Sequence, residues 1–308
     1  MSASEDQNRN ELTGMLSLLV VYVVWGSTYL AIRYAVREGS GFPAFWMAAS
    51  RVLLGGVILF GLAAMFKQSL RLKKSEWVVT IVTAILLWNG GNGLVTWAEQ
   101  RAHSGYAALV IGTTPFWGVI CEAFFRRKLP SALSITSLMI GFAGLAVLTY
   151  PMIKAGERAD WISTVALLCA PICWSIGSAY QQRRKISQPI LVSSAYQQVI
   201  GGVVFVLLAL VTREPWPAPM PEAWIAWGYL VIFGSVLAFT AYVTALRNLP
   251  LPIVMTYAYV NPVIAVLLGW WLLDEQITSY TMIGAVLILG GVGALFHERF
   301  YSRRKAAS

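Results

Sequence analysis

Charge is scarce in this chain. Only 12% of its 308 residues are Asp, Glu, Lys or Arg, while 57% are hydrophobic. A soluble domain carries about 25% charged residues, because its outside must face water. Half that density excludes a water-bathed surface over most of the molecule and leaves a polytopic membrane protein. Histidine is nearly absent: His103 and His297 stand far apart at the ends of apolar runs. There is no H-E-x-x-H and no G-x-S-x-G, so enzyme chemistry has no motif to rest on. Cys121, Cys169 and Cys173 all fall inside apolar runs. They read as small core residues without partners for a disulfide or a zinc site. No metal and no cofactor is expected. Period-two alternation is missing, which excludes a β-barrel. Residues 1–11 lack the basic start and small-residue cleavage site of a signal peptide, so the first apolar run is expected to be retained.

What the sequence does have is apolar runs of spanning length. Ten are marked off by charges, at 12–32, 43–66, 77–97, 104–125, 132–153, 161–180, 189–212, 223–246, 250–273 and 278–297. Each approaches the ~20 residues with which an α-helix crosses ~30 Å of hydrocarbon. The expected fold is therefore an all-α polytopic membrane protein of ten transmembrane helices. The net charge of +9 points to orientation rather than to nucleic acid. With the N-terminus in the cytoplasm, sixteen of the Lys and Arg residues fall on the cytoplasmic side and six on the other, with Arg51 inside span two. That is the positive-inside signature. Both termini are expected in the cytoplasm, and the protein in a cytoplasmic (inner) membrane.

The chain also repeats itself. Shifted by 147 positions, Thr114-Pro115 falls on Asn261-Pro262, Gly144 on Gly291 and Leu148 on Leu295. Trp25 and Trp174 occupy similar places in spans one and six. Ten spans divide into two sets of five, and an odd set must re-enter the membrane from the other side. The expected units are a tail at 1–11, a five-helix repeat at 12–153, an inverted repeat at 161–297 and a basic tail at 298–308. The charges agree. Span four ends in FFRRKLP on the cytoplasmic side, whereas its counterpart ends in WLLDEQI on the other. Inverted repeats belong to transporters that rock about a site between their halves.

Polar residues inside spans are functional candidates, since each costs free energy unless paired. Span one carries Trp25, Ser27, Thr28 and Tyr29, the two aromatics one turn apart. They read as a cavity wall or as ordinary helix contacts. Arg33, near the outer end, can snorkel. Arg51 sits too deep in span two for that. It is expected to hold a structural ion pair or touch substrate, with Glu99 or Glu122 as the available acids. Glu99 is also the candidate for a titrating, proton-coupling group, and Glu122 lies close to the Arg126-Arg127-Lys128 run. Span three carries Asn89 and Asn92 among glycines, a place to bend, to pack tightly or to line a pathway. Pro115 and Pro262 should make matching kinks. Trp117, Trp174, Tyr242 and Tyr257 add mixed aromatic and hydroxyl surface.

WGSTYLAIR in span one, Arg51 in span two, AALVIGTTP entering span four and GAVLILGGVGAL near the end resemble the EamA-type exporters of the drug/metabolite transporter superfamily. WAEQRAHSGYAALVIGTTP resembles a bacterial inner-membrane permease subgroup in particular. The resemblance runs over the whole chain as two tandem EamA units. It implies a central cavity and export of amino acids or other small amphipathic metabolites and drugs. The sequence departs from it at Arg126-Arg127-Lys128, where many members carry an acid, so any role of that acid is supported only at Glu275. The resulting expectation is a non-enzymatic exporter working by alternating access, with Trp25, Thr28, Tyr29, Asn89, Asn92, Trp117, Trp174, Tyr242 and Tyr257 lining the site. Its partners are a small solute, the bilayer and, if Glu99 titrates, protons. The rival readings are an antiporter of nucleotide sugars or phosphorylated metabolites, which would need more intramembrane cations, and a scaffold or receptor without solute flux.

Overall fold

The computed structural model describes residues 3–127, 129–156, 159–184, 187–273 and 276–307. Lys128, Arg158, Lys185, Asp274 and Glu275, which enter the charge argument above, lie outside the described residues. Among those described, every regular element is helical. Ten helices are long and apolar enough to cross a membrane, with mean hydropathy between 1.5 and 1.9. Helices suit that role because each satisfies its own backbone polar groups where no water is available. They follow the ten apolar runs, with two differences. Span one belongs to a helix that starts at Ala3 and runs to Val36, and the last helix runs from Ser279 to Ala307. Both polar tails thus continue a helix, as propensity-rich segments anchored to a long span can.

The packing is two-fold. Spans two (Ala44–Met65) and seven (Ile190–Val211) pack against each other, as do spans five (Ala132–Lys154) and ten (Ser279–Glu298). Span six (Trp161–Arg184) packs on spans three and four, and span one packs likewise on spans eight and nine. Each contact between halves thus has its counterpart under exchange of the repeats. Glycines set the closest crossing. A Cβ on Gly144 would meet the backbone of Gly284 and Ile288 at 2.7–2.8 Å, and one on Gly291 would meet Ser137 and Gly141 at 2.6–2.8 Å. These partners are themselves 147 positions apart in register. Small residues let helix backbones approach where lipid offers no hydrophobic drive for association.

Spans three (Lys74–Ala98) and eight (Pro221–Asn248) share an irregularity. Each contains nine π-helical residues, Ile85–Gly93 and Leu230–Ala238, 145 positions apart. π-Helical turns widen a helix locally and expose backbone groups, and they gather at functional sites. Spans four and nine are each broken in two, as Ser104–Ile111 with Thr114–Arg126, and Leu251–Met255 with Tyr257–Leu273. The expected matching proline kinks are corrected here. Pro115 opens the second helix of span four, whereas Pro262 lies inside the second helix of span nine. The break in span nine falls ahead of Pro262, at Thr256, whose hydroxyl turns back to the Ile253 carbonyl.

Side chains also close helix ends across the halves. The Glu214 carboxylate accepts the amides of Phe45 and Trp46 at 3.0–3.1 Å, capping span two. Glu76, at the head of span three, accepts the amide of Ser187 at 2.8 Å ahead of span seven. Burial outweighs those amides at Glu214, which lies between spans, and its carboxyl is held above the usual range.

Candidate functional site

A cavity opens between the two halves. Span one contributes Trp25, Thr28, Tyr29 and Ile32; span two, Arg51; span three, Trp88, Gly91, Asn92 and Val95. Ile111 and Thr114 come from the break in span four, Ala170, Pro171 and Trp174 from span six, Gly234 from span eight and Tyr257 from span nine. The two π-helical segments therefore face each other across it. Relative to the middle of the spans, the cavity lies toward the face opposite the termini.

The half nearer the termini is filled. Tyr242, Leu249, Val254 and Met255 are buried there. Tyr22 shares a 2.6 Å hydrogen bond with Thr256, and the Gln182 amide donates to the carbonyls of Leu246 and Leu249, at 2.8 Å each. A Cβ on Gly14 would strike Leu249 at 2.7 Å. The cavity is thus closed on one side by packed side chains.

Aromatic rings form its floor. Trp25 stands 5.4 Å from Trp174, 5.1 Å from Tyr242 and 5.0 Å from Tyr257, centroid to centroid. Edge-to-face geometry at this spacing stabilises such clusters beyond simple burial. Trp25 and Trp174 are repeat counterparts, so the cluster forms where the two halves meet. Tyr242 sits behind the wall, its hydroxyl 2.5 Å from that of Ser178.

Seven expected site residues line the cavity: Trp25, Thr28, Tyr29, Arg51, Asn92, Trp174 and Tyr257. Tyr242 supports them from behind. Asn89 and Trp117 do not reach it. The Asn89 amide donates to the Gly201 carbonyl at 3.0 Å, turning toward span seven because the π-helical turn rotates it away from Asn92. Trp117, on the second helix of span four, lies part-buried and apart from the cavity.

The expected ion pair of Arg51 does not form. Among the described residues no carboxylate lies within 4 Å of its guanidinium. Instead Nε donates to Ser235 Oγ at 2.9 Å and Nη1 to Asn92 Oδ1 at 3.4 Å, and the Trp88 ring lies 5.7 Å away. Glu122 pairs with Arg126 one helical turn on, at 3.2 Å. Glu99 is fully buried, and among the described residues neither carboxyl oxygen has a hydrogen-bond partner. Arg33 donates to the main-chain carbonyls of Glu99 and Gln100, at 2.6 and 2.9 Å, closing the end of span three. The cysteines are free, but Cys169 is exposed rather than in the core. Among the described residues no group of His, Cys, Asp or Glu could hold a metal.

Trp88, Gly91, Pro171, Gly234 and Ser235 were not singled out as site residues from the sequence. Trp88 is one turn from Asn92, and Gly234-Ser235 stands 145 positions after Asn89-Gly90.

The profile of the EamA-like transporter family matches twice, over residues 12–150 and 161–296. The chain belongs to this family. It is 32% identical to a chain named only as an inner membrane transporter, YedA of Escherichia coli K12, over 90% of this chain and 88% of that one. It is 26% identical to the S-adenosylmethionine/S-adenosylhomocysteine transporter of Chlamydia trachomatis serovar L2, over 90% and 87%. A solved crystal structure superposes with a TM-score of 0.74 at 20% identity, covering 93% of this chain and 97% of the other. That likeness concerns the fold alone. The EamA-like protein is thus a ten-helix membrane transporter of two five-helix repeats.

Proposed function

We propose that this transporter exports amino acids or other small amphipathic metabolites across the cytoplasmic membrane by alternating access, with both termini in the cytoplasm. The observation that carries this reading is the cavity at the repeat interface, open space on one side and packed side chains on the other. Two halves of the same architecture can exchange these conformations at similar energy, so that closure passes from one side to the other. Rings, hydroxyls and one amide suit a solute with an apolar body and a few polar groups. The substrates in the chlamydial relative's name are themselves amino-acid conjugates with an aromatic base, which fits the same description. A nucleotide-sugar antiporter would have to balance several negative charges, and Arg51 is the one cation among the cavity residues.

Reconstituted protein loaded with a mixture of amino acids and common metabolites should release a few of them selectively, as read by mass spectrometry with and without a pH gradient. Release no faster than from empty liposomes, by protein that is folded, would favour the scaffold or receptor reading. Glu99 is the proposed coupling group. Neither of its buried carboxyl oxygens has a hydrogen-bond partner among the described residues, and an opening of the outer end would let it exchange a proton.

A further inference from the structure

We propose that Arg51 docks a carboxylate of the transported solute, so that the cavity selects compounds bearing one carboxylate on an apolar or aromatic body. This rests on the export reading above and specifies the chemistry of the same site.

Among the described residues nothing answers the charge on Arg51. The residue is 2% exposed, lies deep in span two, and meets only neutral groups: Ser235, Asn92 and the Trp88 ring. A guanidinium does not give up its proton, so neutralisation is closed to it. Buried charges without a counter-ion are otherwise avoided. Nη2 makes no hydrogen bond among the described residues. It lies 3.3 Å from where a Cβ would stand on Gly234, so the missing side chain keeps that flank of the fork clear at the cavity wall.

The second repeat supplies the control. Gln198, the counterpart of Arg51 at an offset of 147, is fully buried and donates from Nε2 to the Ser235 carbonyl at 2.9 Å. Both residues thus brace the same position on span eight. A neutral amide suffices for bracing in one half, so the positive charge in the other answers to something else. A planar fork with free donors matches a carboxylate. One cation balances one negative charge, which disfavours phosphate monoesters and diphosphates. The ring cluster beside it can hold an apolar body or, through ring faces, an ammonium group.

The test uses three matched probes: phenylalanine, phenylalaninamide and 3-phenylpropionate. Efflux from proteoliposomes and thermal stabilisation in detergent are measured for each. Wild type should favour the two carboxylates over the amide by at least about tenfold, as expected for loss of a charge-assisted contact. Arg51→Gln should erase that preference, lowering the carboxylates far more than the amide, and Arg51→Lys should restore part of it. Gly234→Ala, which keeps the guanidinium and its Ser235 bond but crowds Nη2, should weaken the carboxylates selectively even if Arg51→Gln folds poorly. An equal loss for all three probes in Gly234→Ala and Arg51→Gln, or a carboxylate preference that survives in Arg51→Gln, overturns the assignment. If wild type releases none of the three, export of this class fails. The detergent titration then decides Arg51 separately: stabilisation by carboxylates that Arg51→Gln abolishes supports it, and none in wild type sinks it.

Discussion

The two repeats agree in scaffold and differ in chemistry. Spans two and seven, and five and ten, meet as mutual counterparts, and both third spans of the repeats carry a nine-residue π-helical segment. Even the ties are shared: Arg33 holds the end of span three by its carbonyls, and Gln182, 149 positions on, does the same for span eight. The cavity wall shows no such agreement. Arg51, Asn92 and Tyr29 in the first repeat correspond to Gln198, Leu237 and Ser178 in the second. Symmetric packing gives two states of similar energy. Asymmetric lining means that one repeat supplies most of the polar contacts to a solute, whichever side is open.

The strongest way to break the comparison is at Asn92. Asn92→Leu makes the first repeat read like the second at this place and removes the acceptor of Arg51 Nη1. Transport should be lost while protein level is retained. Leu237→Met, at the counterpart, should leave flux intact, because that side chain is 46% exposed on the outside of the bundle. Normal flux in the Asn92 variant would show that the cavity is not the path.

The scaffold can be tested next. Gly144→Leu and Gly291→Leu each drive a side chain into backbone less than 3 Å away. Overpacking of this kind costs about 1–3 kcal/mol, and the two losses should be alike, read as thermal denaturation in detergent. Gly290→Leu, which meets nothing within 4 Å, should not lower stability. Unequal losses at the paired glycines would mean that the two-fold crossing is not symmetric in energy. A smaller effect is expected at Glu99. With Gln there, efflux should persist and its dependence on pH should flatten, since the exchangeable proton is gone. Unchanged pH dependence would remove Glu99 from coupling.

Span number, repeat offset and the ring cluster could be read from the sequence, because hydropathy and spacing encode them directly. The span-one motif also pointed to the family. Three things could not be read. The ion pair assigned to Arg51 rested on counting acids near the membrane, and counting is blind to the interhelical distances that leave Glu99 and Glu122 elsewhere. Asn89 and Asn92 share a face at α-helical spacing, but the π-helical segment changes the rotation per residue and separates them. The prolines promised equal bends, yet a break depends on which carbonyls find other partners. At Thr256 a hydroxyl, not Pro262, marks the place.

The finest comparison lies between the two π-helical segments. Gly91 and Gly234 both line the cavity, from opposite repeats. A Cβ on Gly91 would meet the Trp174 ring at 2.6 Å, so Gly91→Ala must push that ring from its place against Trp25. On Gly234 the nearest atom is Arg51 Nη2 at 3.3 Å, the end of a flexible side chain. Alanine also favours a helical interior over glycine by roughly 0.5–1 kcal/mol. Gly234→Ala should therefore leave melting unchanged or slightly raised, and Gly91→Ala should lower it. If the two shifts proved equal, the ring cluster would be yielding freely around Gly91. The floor of the cavity would then be soft, and its selectivity would have to come from the polar wall of the first repeat alone.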